Sequence, residues 1–163
     1  MATWAELAAA EPEMAERGGT LIYQYGPGLG FLATIGADEM PRVHPVCPIV
    51  ANGGLWVFVI PSPKRGDLDR DGRYALHAFT PENVDDEFMV IGHARPVTDP
   101  ATRAAAVAAY HQPVPGDHDL FELGIERALL ATYTHRGQWP PTYRRWRAPD
   151  VAGRLAQPTE DPA

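Results

Sequence analysis

The chain opens on an alanine-rich stretch of helical texture and changes at Leu29 to short β-rich runs separated by turns. Thr3-Trp4-Ala5-Glu6 fits a capping box, in which the Thr3 hydroxyl and the Glu6 carboxylate satisfy orphan N–H groups. The helix it starts is expected to run past Gly18-Gly19 through Leu21, Ile22 and Tyr25, until Gly26-Pro27-Gly28 stops it. Phe31 to Ile35 then reads as a first strand, with a turn over residues 36–39. Arg42 to Val50 reads as a second, with Val43, Val46 and Ile49 among its apolar positions. Pro45 and Pro48 cannot donate to a ladder, so this strand is expected to meet an edge, a bulge or a ligand. Asn52-Gly53-Gly54 is a hairpin signal leading into a third strand, Leu55 to Ile60.

Ser62-Pro63 has the chemistry of a helix start, serine at the N-cap and proline at the first helical position. That helix is expected to reach about Arg70, before a fourth strand over Tyr74 to Phe79 and a fifth over Glu87 to Val97. Asp99-Pro100 repeats the device and starts a second alanine-rich helix to Tyr110. Residues 112–119 read as a turn-forming loop. Glu126 to His135 and Thr142 to Arg147 read as two closing strands, the first with a helical alternative. Strands joined by hairpins, with helices only at a few crossings, predict a mainly β barrel or sandwich and not a parallel α/β sheet. Residues 1–150 are expected to form a single domain with an N-terminal helix, and residues 151–163 a loose tail.

Composition narrows the function. At 163 residues, 45% hydrophobic and 21% charged, the chain suits one globular domain. Its net charge of −7 argues against an electrostatic grip on nucleic acid or an anionic membrane. Cys47 is the only cysteine, which excludes an internal disulfide and a cysteine-based zinc site. The first twenty residues carry Glu6, Glu11, Glu13 and Glu16 and no apolar block, unlike a signal peptide, and no apolar run approaches the roughly 20 residues of a membrane helix. A soluble cytoplasmic protein is the expectation.

One local feature stands out. The only serine and the only lysine share the tripeptide Ser62-Pro63-Lys64. A helix N-terminus offers unpaired N–H groups and the positive end of a dipole. Ser62 adds a hydroxyl, Lys64 a mobile ammonium and Arg65 a guanidinium fork, so the segment suits a phosphate. A capped surface helix is the plain alternative. No comparable grouping supports other chemistries. The histidines show no metal-ligand spacing on a helix, and Ser62 lacks a Gly-x-Ser-x-Gly elbow. Gly26-Pro27-Gly28-Leu29-Gly30 precedes a strand, where a dinucleotide fingerprint follows one.

Taken in order, residues 30–36, 41–48 and 55–60, then Ser62-Pro63-Lys64-Arg65-Gly66-Asp67-Leu68, residues 73–77 and residues 87–94, resemble the pyridoxamine-phosphate-oxidase-like split barrels. The resemblance covers residues 28 to 110 well and the C-terminal part loosely. It implies a Greek-key split barrel paired as a homodimer, with flavin mononucleotide (FMN) at the interface. Ser62 and Lys64 fall on that family's phosphate contacts, and His44 falls where an arginine usually faces the same phosphate. Val46 and Cys47 fall on the strand whose backbone flanks the ring system, and Val57 to Ile60 sit near the cofactor-facing third strand, with Val59 and Ile60 as its expected contacts. Glu87 takes the place of a glutamine that touches the cofactor. Trp146 is expected either to cover the partner subunit's cofactor edge or to pack in the core.

Histidine at 44 removes a fixed charge and a fork, and glutamate at 87 replaces amide donors with an acceptor. The oxidases' C-terminal Arg-Leu-His motif is absent, so vitamin B6 oxidation is not expected. The resemblance thus implies a flavin-dependent oxidoreductase acting on a small organic substrate. A deazaflavin on the same barrel, or a non-enzymatic flavin- or haem-binding protein, are the alternatives.

Overall fold

The computed structural model describes residues 1–110 and 112–149; the expected loose tail lies outside them. Its elements are α1 (Trp4–Ala10), α2 (Pro12–Tyr23), β1 (Gly30–Ile35), β2 (Pro41–Val46), β3 (Pro48–Ala51), β4 (Gly54–Val59), α3 (Pro63–Arg70), β5 (Arg73–Ala78), β6 (Glu87–Pro96), α4 (Pro100–Ala109), β7 (Asp119–Thr132) and β8 (Thr142–Arg147). The fold is mainly β, as the run of short strands predicts.

All strand pairs are antiparallel, and the sheet runs β2-β1-β5-β6-β7-β4-β3. Its two outermost strands, β2 and β3, are separated in sequence only by Cys47. Residues two apart lie within about 7 Å, so the ends of this path meet and the sheet curls into a barrel split at Cys47. The single second strand expected over Arg42 to Val50 is therefore two strands: β2 bonds to β1, and β3 bonds to β4. Long β7 uses one edge three times. It pairs β4 at Asp119–Glu122, the backbone of Ala2 at Ile125, and β8 at Arg127–Thr132.

Three further expectations need correction. The N-terminal helix breaks at Glu11-Pro12, because the missing N–H of Pro12 ends α1 and suits the first turn of α2. The capping box at Thr3 and Glu6 is present. β7 begins at Asp119, seven residues earlier than expected, and is not helical. Leu120, Phe121, Leu123, Gly124 and Ile125 are all buried, so this half of the strand shows no alternation to read. The Ser62 side chain makes no cap; its hydroxyl donates to the Ile60 carbonyl at 2.9 Å. Asp99, by contrast, caps α4 by accepting from the Thr102 N–H at 2.7 Å. At the β3–β4 hairpin Asn52 and Gly53 both have positive φ, as a tight primed turn requires.

The core fills the barrel with Leu32, Val57, Leu76, Phe88, Val90, Phe121 and Leu123, and α1 and α2 close one end over Trp4, Leu7, Met14 and Ile22. Trp4 meets Phe88 edge-to-face at 5.9 Å. Gly18 lies so close to the Phe88 ring that an added Cβ would stand 2.6 Å from it. The buried Asp86 carboxylate ties α2 to the end of β7, accepting from Arg17 Nε at 3.2 Å and the Tyr133 N–H at 2.9 Å.

Two adjacent rows of the sheet's outer face are also largely apolar. One row of cross-strand neighbours runs Val43, Ala33, Ala75, Ile91, Arg127, Arg147; the next runs Pro45, Phe31, His77, Met89, Leu129, Arg145. Apart from His77, every position from β2 to β6 in these rows is apolar, and the arginines come only at β7 and β8. A solvated face of an antiparallel sheet carries polar residues instead.

Candidate functional site

Where the barrel splits, a cleft of about 390 Å³ opens between the end of β2, β4, the first turn of α3 and the segment after α4. Val46, Cys47, Phe58, Ile60, Lys64 and Tyr110 line it, with a further wall from Gln112, Val114 and His118. Val46 is buried and Ile60 is exposed. Phe58 is packed by Tyr110, with ring centroids 5.8 Å apart, and by the Arg103 guanidinium at 5.2 Å.

Helix α3 delivers Lys64 because Ser62 is extended, Pro63 fixes the first helical φ, and the Arg65 N–H donates to the Ser62 carbonyl at 3.0 Å. The other end of the helix is anchored by Asp67. This buried carboxylate accepts from the Thr34 hydroxyl at 2.9 Å and stands 3.4 Å from Arg70 and 3.8 Å from Arg42. Lys64 itself has no ion pair or hydrogen bond among the described residues. It is the one lysine of a chain with charge −7.

Arg65 is turned to the loop before β7, where its Nε lies 2.8 Å from Asp119 and one amino group donates to the Asp117 carbonyl at 3.3 Å. Burial, followed by the neighbouring Cys47 side chain, pushes the Tyr110 phenol up to about 12. His44 lies on the inward side of β2 with Arg42 and Val46, and its Nε2 is buried with no hydrogen-bond partner among the described residues.

The cleft thus brings together Val46, Cys47, Ile60 and Lys64 of the residues singled out in the sequence. Ser62 precedes α3 and Arg65 follows Lys64 on it, and Val59 lies between the cleft residues Phe58 and Ile60 with its side chain fully buried in the core. Glu87 and Trp146 lie elsewhere. Glu87 opens β6, with β5 and β1 between it and β2; Trp146, on β8 opposite Ala128, packs against the core. Phe58 lines it within the Val57 to Ile60 stretch expected near the cofactor, whereas Tyr110 and His118 line it and are not among the residues the sequence points to. The one local hint is that Tyr110 ends an alanine-rich helix beside a proline-rich loop.

No protein-family model and no curated protein matches this sequence. Solved structures do match its fold. One is a haem-binding protein from Mycobacterium smegmatis, with TM-score 0.61 and 17% identity, over 82% of this chain and 58% of that one. This chain therefore spans little more than half the length of that neighbour. A Clostridium acetobutylicum protein, related to general stress protein 26 of Bacillus subtilis and described as of the pyridoxinephosphate oxidase family, aligns at TM-score 0.58 and 10% identity, over 90% and 98% of the two chains. PhzG from Burkholderia lata 383, solved in complex with tetrahydrophenazine-1-carboxylic acid, aligns at TM-score 0.56 and 14% identity, over 85% and 93%.

Proposed function

We propose that this chain, which has the split-barrel fold of the pyridoxamine-phosphate-oxidase-like proteins, binds FMN in the Lys64 cleft and serves as a flavin-dependent oxidoreductase for a small organic substrate. One observation carries the reading. Lys64, without an acidic partner among the described residues, stands in the first turn of a helix that Ser62 precedes, at the edge of a cleft walled by Val46, Phe58 and Ile60. A phosphate with a flat apolar ring attached is the ligand chemistry that such a pairing suits. The residues present fit the group: Lys64 and Ser62 for the phosphate, and apolar side chains with the Cys47–Tyr110 pair along the ring.

When bound, the flavin supplies the hydride chemistry. The chain's part is to bind, orient and exclude water. Lys64 neutralises phosphate charge, Arg65 is held by Asp119 and keeps the first turn of α3 against the loop before β7, and Phe58 and Tyr110 shield one wall. The apolar outer face favours a homodimer, since a second copy would cover Phe31 and Val43, which are 44% and 62% exposed in one protomer. Only a second copy would bring the positions of Glu87 and Trp146 near such a cleft.

A second reading, haem binding without turnover, is favoured by one observation, the buried and unpartnered His44 Nε2. Imidazole nitrogen is an axial ligand for haem iron. The name of the Mycobacterium smegmatis neighbour points the same way.

An absorption spectrum of the purified protein, alone and after addition of FMN and desalting, tests the proposal. Retained flavin bands that are lost in Lys64→Ala support it. No retained flavin, with a haem band that is lost in His44→Ala, replaces it with the second reading. Tighter binding of a deazaflavin than of FMN in a fluorescence titration replaces the cofactor and keeps the site.

A further inference from the structure

At its β8 end the apolar outer face becomes cationic. Arg127 and Arg147 are direct cross-strand neighbours, and Arg145 stands opposite Leu129. Like charges placed directly opposite destabilise a sheet. Elsewhere the fold avoids this: Arg17, Arg42, Arg65, Arg70, Arg95 and Arg144 each meet an aspartate or glutamate. Arg127, Arg145 and Arg147 meet none among the described residues, although acidic residues outnumber Lys and Arg by 21 to 14. Arg145 lies over the Tyr143 ring at 4.7 Å. Between the three arginines is a cavity of about 200 Å³ with Met89, Ile91 and Leu129 as its apolar lining and Trp146 beside them.

We propose that this cavity binds a small organic anion, a carboxylate or phosphate monoester on a ring-sized apolar body. The body covers Met89, Ile91 and Leu129, and the oxyanion is shared by Arg127, Arg145 and Arg147. Guanidinium groups are suited to this task because their planar forks match carboxylate and phosphate oxygens and stay charged at all working pH values. The apolar lining selects an anion with a body over a bare inorganic ion. The chain's overall negative charge disfavours a long polyanion. Within one protomer the site lies on β6, β7 and β8, apart from the cleft at β2, β4 and α3, at the β8 end of the outer rows that the proposed second copy would cover.

Calorimetric titration of the full chain with benzoate, phenyl phosphate, inorganic phosphate and benzyl alcohol tests the proposal. Benzoate or phenyl phosphate is expected to bind saturably, and whichever is tighter identifies the oxyanion; inorganic phosphate and benzyl alcohol are expected to bind about tenfold more weakly or worse. The double variant Arg127→Gln/Arg145→Gln, in exposed positions, is expected to weaken the aromatic anions by about tenfold or more while leaving benzyl alcohol and FMN binding unchanged. Equal affinity in the variant, or no saturable binding of either aromatic anion, overturns the proposal. Stoichiometric displacement of phenyl phosphate by FMN overturns it too, by assigning the arginines to the cofactor. Conversion of a dimer to a monomer by the double variant, with phenyl phosphate binding intact, assigns them to a subunit interface and has the same consequence.

Discussion

The Thr34 hydroxyl donates to the Asp67 carboxylate at 2.9 Å, both side chains being buried, and this contact fixes helix α3 to strand β1. Because Arg42 and Arg70 approach the same carboxylate from outside, one group holds together the helix that presents Lys64. Replacing Asp67 by alanine leaves a buried hydroxyl unpaired and two guanidinium groups without their shared acid. Both arginines are partly exposed and recover some solvation, so a loss of about 2–4 kcal/mol is expected. Urea unfolding should show a lower midpoint at unchanged slope. Thr34→Val, which removes only the donor, should cost about 1 kcal/mol.

Lys64 makes no ion pair or hydrogen bond among the described residues, so its role is separable from stability. Lys64→Ala should leave the unfolding midpoint of the free protein unchanged and weaken FMN by about 10- to 100-fold, the worth of a charge-assisted hydrogen bond or two. Riboflavin, which has the ring and no phosphate, should bind both proteins equally. Equal weakening of FMN and riboflavin would remove the phosphate from Lys64.

Where one chain segment decides the outcome, the sequence is readable. Asn52-Gly53 requires its turn, Asp99-Pro100 starts its helix, and the bounds of β8 are those expected. Where a distant partner decides, it is not. Nothing local at Cys47 says that the residues before it bond to β1 and those after it to β4, an exchange that only closure of the barrel imposes. The early half of β7 is hidden because it is buried on both faces. The candidate site divides the same way. Ser62 and Lys64 are visible as a helix start, whereas Tyr110 and His118 reach the cleft from a segment more than forty residues further along the chain. Ser62 had the composition of a cap, yet its hydroxyl found the nearby Ile60 carbonyl instead.

Tyr110 should give a pH signature. The fold favours its neutral phenol, first by burial and then through the Cys47 thiol, so the folded state keeps a proton that the unfolded chain releases near the ordinary value of 10.0. Stability from this group is complete below pH 10 and is lost as pH rises through about 12. Phenolate absorbance, read as the difference from Tyr110→Phe, should show this late ionisation. Cys47→Ala should lower its midpoint only partway to 10, because burial is the larger cause. An unchanged midpoint in Cys47→Ala would separate the two side chains.

Val43 tests the homodimer without disturbing the barrel. It is 62% exposed on edge strand β2, and its row continues through Ala33, Ala75 and Ile91 with no polar side chain. A glutamate at 43 costs a lone protomer little, since the side chain reaches water. In a two-fold interface the substitution appears in both copies, and each buries a carboxylate against an apolar surface. Val43→Glu should therefore shift the protein from dimer to monomer in sedimentation at micromolar concentration, with the circular dichroism spectrum retained. If FMN lies at the interface, its affinity should fall in the same variant, although Val43 does not line the cleft of its own protomer. A dimer that survives Val43→Glu would put the contact on another face. FMN affinity that survives loss of the dimer would make the Lys64 cleft sufficient by itself.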